Sequence, residues 1–163
     1  MKLNNLKDLL IHELKDIYNA EQQITKALPK MMKATSSDKL KEAFQEHLDV
    51  TQQQIERLES VFETLGEKAK GEKCLAMEGI IREAESMISE KADASVMDAA
   101  LIASAQRVEH YEIAAYGTVC AYAKQLDMKD VLKHLTTTLE EEKKTDAKLT
   151  KLAEQAINIK AEK

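Results

Sequence analysis

Apolar residues recur every three to four positions along most of the 163-residue chain, the spacing of the buried face of an amphipathic helix. This pattern predicts four long helices, over about residues 3–33, 37–65, 95–126 and 128–157, and a shorter helix over about 74–90. Long helices joined by short loops bury such faces by packing against one another. The sequence therefore predicts an all-α antiparallel four-helix bundle, with the short helix as a crossover between the second and third long helices.

Polar residues and glycine mark the predicted helix ends. Ser37 is expected to begin the second long helix and Gly66 to end it. Ser95, with Asp98 three residues later, has the spacing of a capping box at the start of the third long helix. Pro29 cannot donate a backbone hydrogen bond, so we expect a kink or an early end of the first helix there.

Composition narrows the class of protein. One proline, four glycines and 4% aromatic residues favour long helices over sheets, and residues 1–163 are expected to form one domain. A net charge of -5 offers no basic surface, so nucleic acid is not expected as a partner. No apolar run approaches the roughly 20 residues that span a bilayer, and the first residues do not resemble a signal peptide, so we expect a cytoplasmic chain with no membrane partner.

Carboxylates interrupt the apolar faces near the middle of three long helices. Glu21 lies in the first helix, Glu109 and Glu112 lie one turn apart in the third, and Glu142 and Asp146 lie one turn apart in the fourth. Midpoints of antiparallel helices meet at the same level of a bundle, so these side chains are expected to share one layer. Buried ionised carboxylates are costly unless a cation or a shared proton compensates them.

A metal centre would supply that compensation. Five carboxylates nearly balance two divalent cations, and carboxylate-rich ligand sets suit iron or manganese better than zinc. We therefore expect two iron or manganese ions bound by these five carboxylates, with His47 as the best available imidazole. The alternative for His47 is a core histidine bonded to a neighbour. Four further polar residues are expected to contact the ligands without binding metal: Thr51, Gln54, Tyr18 and Tyr116.

Four segments carry a resemblance to a known family: KALPKMMKATSSDKLKEAFQEHLDVTQQQIERL, CLAMEG, DAALIASAQRVEHYEIAAYGT and TLEEEKKTDAKLTKLA. They resemble the YciF and YciE subfamily of bacterial ferritin-like stress proteins, which are related to rubrerythrins. The resemblance implies a ferritin-like bundle, a dinuclear metal centre and a homodimer, for which the apolar face of residues 74–88 could serve. The sequence departs from the pattern at Thr51 and Gln54, where ferritin-like helices carry Glu-x-x-His, and at Asp146, where rubrerythrins carry histidine.

The sequence leaves three functions open. The first is a dinuclear oxidoreductase, peroxidase-like or catalase-like, that reacts with oxygen or hydrogen peroxide. Since the cysteine pairs of a full rubrerythrin are lacking, such an enzyme needs an electron-donor protein unless it dismutates peroxide. The second is a metal-binding protein without turnover, and the third is a structural stress protein with a degenerate site. The sequence does not decide whether the chain is an enzyme and identifies no catalytic residue.

Overall fold

The structure, a computed structural model, describes residues 3–163, and helices dominate it. The α-helices are α1 Leu6–Ala34, α2 Asp38–Leu65, α3 Leu75–Ile88, α4 Ala94–Gln125, α5 Lys129–Leu152 and α6 Asn158–Ala161, with a π-helical turn Ala153–Ile157 between α5 and α6. Residues 3–163 contain no strand, so the all-α prediction is confirmed. No helix in this part of the chain combines the length and the apolar character needed to cross a bilayer.

The four long helices form a closed ring of contacts. Helix α1 packs against α2 and α4, and α5 packs against the same two helices from the other side. Helix α3 lies across α1 and α4, in the connection between α2 and α4. The short predicted helix therefore exists and covers one face of the ring.

The core consists of two apolar clusters at opposite ends of the ring. The Phe62 cluster unites the first half of α1, the second halves of α2 and α4, and the start of α5. The Phe44 cluster unites the second half of α1, the first halves of α2 and α4, the end of α5 and the inner face of α3. Each cluster thus joins the beginning of one helix to the end of its neighbour, and the midpoints of all four helices lie between the clusters.

Two of the expected helix signals act as predicted. The Ser37 hydroxyl accepts a hydrogen bond from the Leu40 amide of α2 at 3.4 Å. Gly66 ends α2 in the left-handed conformation, with φ of 71°, which glycine adopts without steric cost. Local sequence is sufficient at both positions because the cap is made within a few residues of chain.

Two other signals are overridden by packing between helices. The capping box at Ser95 is wrong, because Asp93 caps α4 and Asp98 is buried, accepting hydrogen bonds from Thr35 at 2.5 Å and from the Ser36 amide at 2.8 Å. Asp98 thereby ties the loop between α1 and α2 to α4. An early end at proline is wrong as well, since α1 continues through Pro29 to Ala34 with buried side chains on both sides of the proline.

Candidate metal centre

A buried polar layer lies between the two apolar clusters. It contains four glutamates, each at most 1% exposed: Glu21, Glu109, Glu112 and Glu142. Helix α1 contributes one of them, α4 two and α5 one. Residues three or four positions apart share a helix face, so the same periodicity that buries leucines turns these carboxylates inward.

Four side chains converge on one point of this layer. His47, Glu109, Glu112 and Glu142 each offer one nitrogen or oxygen atom, and these atoms lie within 4.8 Å of one another. Glu21 approaches Glu112 and Glu142 from α1, and its Oε1 accepts a hydrogen bond of 2.6 Å from the Tyr116 hydroxyl. The structure therefore brings His47 and the four central glutamates together, and places Tyr116 beside them.

Most polar atoms of the layer have no hydrogen-bond partner. Among the described residues, nine buried side-chain oxygens and nitrogens are unpartnered, and all belong to six residues of this layer: Glu21, His47, Thr51, Gln54, Glu109 and Glu112. His47 Nδ1 lies 3.2 Å from Glu109 Oε1, but neither ring nitrogen makes a hydrogen bond. Buried polar atoms without partners are rare and destabilising. A divalent cation would satisfy several of them at once, and the oxygen and imidazole donors suit iron or manganese.

Burial dominates the electrostatics of the layer. It raises the pKa of Glu21 to about 8, with the charge of Glu142 acting in the same direction and the Tyr116 hydrogen bond opposing it. Burial likewise raises the pKa of Glu142 to about 7, and those of Glu109 and Glu112 well above the ordinary value. Without metal, the folded layer therefore retains protons at neutral pH.

The imidazole of His47 responds to burial in the opposite sense. Burial disfavours its protonated form and lowers its pKa to about 4. The ring is therefore neutral at physiological pH and keeps a lone pair for a metal ion. Of the two alternatives for His47, the bonded core histidine finds no hydrogen bond in the described structure.

A hydrogen-bonded chain connects the layer to the surface between α2 and α5. Gln54 Nε2 donates to Glu142 and, at 3.1 Å, to Glu141. Arg57 holds Glu141 with two hydrogen bonds of 2.9 and 3.1 Å, and also donates to Thr138 at 2.6 Å. Arg57 and Glu141 were not among the predicted site residues, because both lie beside the inward helix faces rather than on them.

Asp146 lies at the edge of the layer rather than among the converging ligands. Its Oδ1 accepts a hydrogen bond of 3.1 Å from Gln106 and lies 3.3 Å from His110 Nε2. Four residues advance an α-helix by slightly more than one turn, so Asp146 is rotated away from the direction of Glu142. Both contacts use Oδ1, and Asp146 is not among the four residues whose ligand atoms converge.

Of the residues expected to support the ligands, Tyr18 lies outside the polar layer and Thr51 lies within it. The Tyr18 hydroxyl donates to Glu59 at 2.8 Å, near the surface of α2, and its ring packs edge-on against Phe62. Three residues before Glu21, Tyr18 faces the α1–α2 contact instead of the centre of the ring. Thr51 is fully buried within the layer, and its hydroxyl oxygen has no hydrogen-bond partner.

Comparison with known proteins identifies the family. A family model described as "Domain of unknown function (DUF892)" matches residues 5–162. The chain belongs to the DUF892 family. Protein YciF of Escherichia coli (strain K12) is 51% identical over 163 residues, which cover 99% of this chain and 98% of that protein. The resemblance to the YciF subfamily is thus confirmed.

Solved structures agree with this assignment to the DUF892 family. The crystal structure of the E. coli stress protein YciF matches with a TM-score of 0.91 and 51% identity, over 95% of this chain and 98% of that one. YcfI from Rhodopseudomonas palustris, described as a proposed structural protein, matches with a TM-score of 0.90 and 50% identity, over 91% and 95% of the two chains. A protein from Xanthomonas campestris pv. campestris shares the fold at 19% identity, with a TM-score of 0.78 over 97% of each chain.

Proposed function

We propose that this DUF892 protein is a ferritin-like stress protein that binds divalent iron or manganese in its core. The observation that carries the proposal is the convergence of His47, Glu109, Glu112 and Glu142, whose ligand atoms lie within 4.8 Å of one another. Ligands of one iron or manganese ion bind at roughly 2.0 to 2.2 Å, so two ligands on opposite sides of it lie about 4.4 Å apart, close to the spread of these atoms. These four residues would hold one ion.

The arrangement of helices supports the ferritin-like part of the proposal. In each apolar cluster the start of α1 or α5 meets the end of α2 or α4, or the reverse. Neighbouring helices in the ring therefore run antiparallel, whereas α2 and α4 run in the same direction. Their connection must cross the length of the bundle, and α3 lies within it. One long crossover is the connectivity of ferritin-like bundles.

A dinuclear centre is the form that fits the charges of the layer. The charges of four carboxylates in a nearly dry layer balance those of two divalent ions. With one ion, two carboxylates would remain, and each would be either ionised without a counter-ion or protonated. Glu21 would provide oxygens for the second ion, and the unpartnered oxygens of Thr51 and Gln54 lie in the same layer. Asp146 stays outside this ligand set, beside Gln106.

Iron or manganese bound there would supply redox chemistry toward oxygen or hydrogen peroxide. The chain itself contributes orientation and proton control. Gln54 fixes one oxygen of Glu142, and Tyr116 holds Glu21 with a hydroxyl that carries a transferable proton. The apolar clusters on both sides exclude bulk water from the layer. This proposal makes the protein a peroxidase-like or catalase-like oxidoreductase.

A second candidate function is metal binding or structural support without turnover. The replacement of a Glu-x-x-His pair by Thr51 and Gln54 favours it, as does the description of R. palustris YcfI as a proposed structural protein. We further propose a cytoplasmic homodimer, which needs an electron-donor protein if it reduces peroxide without dismutation. Neither proposal involves nucleic acid or a membrane.

Metal content tests the proposal. Purified protein is dialysed without oxygen against Fe(II) or Mn(II), washed, and assayed by mass spectrometry for metal per chain. Glu112→Gln keeps the side-chain volume but removes a charged ligand, so we expect it to lose at least one ion. Glu140→Gln is the matched control on α5, because Glu140 is exposed and, within residues 3–163, pairs with Lys143 alone. Glu141 is unsuitable as a control because it contacts Gln54 and Arg57.

The outcomes separate the two functions. Equal metal content in wild-type protein and Glu112→Gln would contradict the metal centre. Metal binding that depends on Glu112, together with peroxide decomposition that is lost in the same variant, supports the oxidoreductase. Metal binding without any peroxide decomposition or iron oxidation supports the second candidate function.

A further inference from the structure

A surface groove lies between α2 and the C-terminal part of α5. The groove has a volume of about 490 Å³, and Ala43, Glu46 and Lys148 are among its lining residues. The same three residues line a smaller cavity of about 30 Å³ beneath it, which extends to His47 and Val50. The shared lining residues show that the groove and the cavity adjoin, with the groove at the surface and the cavity against His47; together they are called the passage.

The inner end of this passage presents an unsatisfied polar group. His47 is 4% exposed, and neither of its ring nitrogens has a hydrogen-bond partner. When a metal ion binds the lone pair of one ring nitrogen, the other nitrogen keeps its N–H, which a small molecule with an acceptor oxygen would satisfy. A cavity of about 30 Å³ has room for a molecule little larger than water.

The other side of His47 offers no comparable approach. A cavity of about 20 Å³ there is enclosed by α1, α3 and α4, and apart from His47 and Ser104 its lining is apolar, as at Ile24 and Val108. Transfer of a polar molecule from water into that apolar cavity would cost free energy, because few hydrogen-bond partners line it. Of these two cavities, the one on the α2–α5 side is therefore the polar approach to His47.

An ion pair closes the outer end of the passage. Lys148 of α5 pairs with Glu46 of α2, both residues line the groove and the cavity, and both side chains are about half exposed. Exposed ion pairs contribute little to stability, so this one can open at small cost. The charged residues that line the groove are three lysines and two glutamates: Lys39, Lys148, Lys151, Glu42 and Glu46. Their net charge is positive, so the groove does not attract cations.

We infer that this passage is the entrance through which hydrogen peroxide reaches His47 and the adjoining carboxylates. Hydrogen peroxide is uncharged, is only slightly larger than water, and has hydroxyl groups that both donate and accept. The inference rests on the proposed function for its choice of substrate, but the passage itself can be tested in metal-free protein. It assigns Val50 as the residue that sets the width of the passage and the Glu46–Lys148 pair as its outer closure.

The first experiment measures access to His47 without metal. In protein labelled with ¹⁵N-histidine, the exchange of the His47 ring N–H with solvent is followed by nuclear magnetic resonance. Val50→Phe fills the cavity and should slow this exchange about tenfold, equivalent to a barrier higher by about 1.4 kcal/mol. Val50→Ala should accelerate it. Ile55 is the matched control, a half-buried residue of α2 that packs in the Phe62 cluster away from the passage.

Equal exchange rates in the two Val50 variants and in the corresponding Ile55 variants would overturn the passage. Val50→Ala decides the question by itself if Val50→Phe does not fold, because it enlarges the cavity without overpacking. This result does not depend on metal, so it stands even if the proposed function fails.

The second experiment tests the substrate. Metal content is first shown to be equal in wild type, Lys148→Met and Lys30→Met, and the rate of peroxide reaction is then measured by stopped flow. Lys148→Met opens the closure and should raise the rate about threefold or more at low peroxide concentration, whereas Lys30→Met breaks only the exposed Lys30–Glu85 pair. Equal rates in both variants, or no reaction of the metal-loaded protein with peroxide, would overturn peroxide entry.

Discussion

Replacement of Glu21 by glutamine should change the pH dependence of stability in the metal-free protein. Burial and the charge of Glu142 raise the pKa of Glu21 from 4.5 to about 8 in the folded state. In the unfolded chain this carboxyl ionises near its ordinary pKa, so over the interval between the two values the folded state holds one proton more. The free energy of unfolding then falls by about 1.4 kcal/mol per pH unit for this one carboxyl.

Raising the pH from about 5.5 to 7 should therefore lower the free energy of unfolding by ~2 kcal/mol through the titration of Glu21 alone. Stability is greatest below the ordinary glutamate pKa and is lost as the pH rises through the folded value. Glu21→Gln preserves the volume, and its amide oxygen can still accept the Tyr116 hydrogen bond, but it cannot ionise. We expect the variant to retain this ~2 kcal/mol over the same interval.

Urea denaturation followed by circular dichroism, in chelator and at several pH values, measures the difference. The slope of unfolding free energy against pH should be shallower in Glu21→Gln than in wild type by about one proton. Glu140→Gln, with an exposed carboxyl on α5, should keep the wild-type slope. Identical slopes in all three proteins would show that Glu21 is ionised in the folded state and would refute the account of a dry carboxylate layer.

Three further predictions concern metal, packing and assembly. Fe(II) or Mn(II) should raise the melting temperature most near neutral pH and least in acid, where protons compete for the glutamates; a shift independent of pH would contradict this. Phe62→Ala should lower the free energy of unfolding by about 3–5 kcal/mol in urea, because the ring is fully buried, whereas Leu75→Ala, at a residue 69% exposed, should change it by less than about 0.5 kcal/mol. Light scattering should give twice the chain mass of 18.3 kDa, and a monomeric mass would exclude the proposed homodimer.

Helical periodicity was sufficient to predict the elements and the polar layer. Glu21, Glu109, Glu112 and Glu142 each occupy an inward position near the middle of a long helix, and all four are buried side by side. The number of residues per turn determines which side chains point inward, and the distance from the helix ends determines their level in the bundle. Both can be read from one sequence because they depend on local structure and on antiparallel packing.

Contacts that depend on how far a side chain reaches across a helix interface could not be predicted in this way. Arg57 extends from α2 to Glu141 on α5, and both residues lie beside the inward face rather than on it. Asp98 has the local spacing of a cap, but three hydrogen bonds to residues 35 and 36 determine its position. Asp146 follows Glu142 by slightly more than one turn, but its contact with Gln106 on another helix could not be predicted from helix spacing.

The end of α5 shows the same limit. The sequence continues with a helical pattern to about residue 157, yet the backbone widens into a π-helical turn at Ala153–Ile157 before α6 begins. Ala153 and Ile157 are both buried against the Phe44 cluster. A π turn inserts one residue without ending the helix, so it leaves almost no trace in the apolar pattern.

Anomalous X-ray diffraction from crystals soaked in Mn(II) tests the central claim most directly. Data collected on both sides of the manganese absorption edge locate the ion without reference to any assumed site. The account predicts an anomalous peak within bonding distance of His47, Glu109, Glu112 and Glu142, and a second peak beside Glu21 if the centre is dinuclear. Crystals that show no peak in this layer, or manganese bound only by exposed carboxylates, would contradict it.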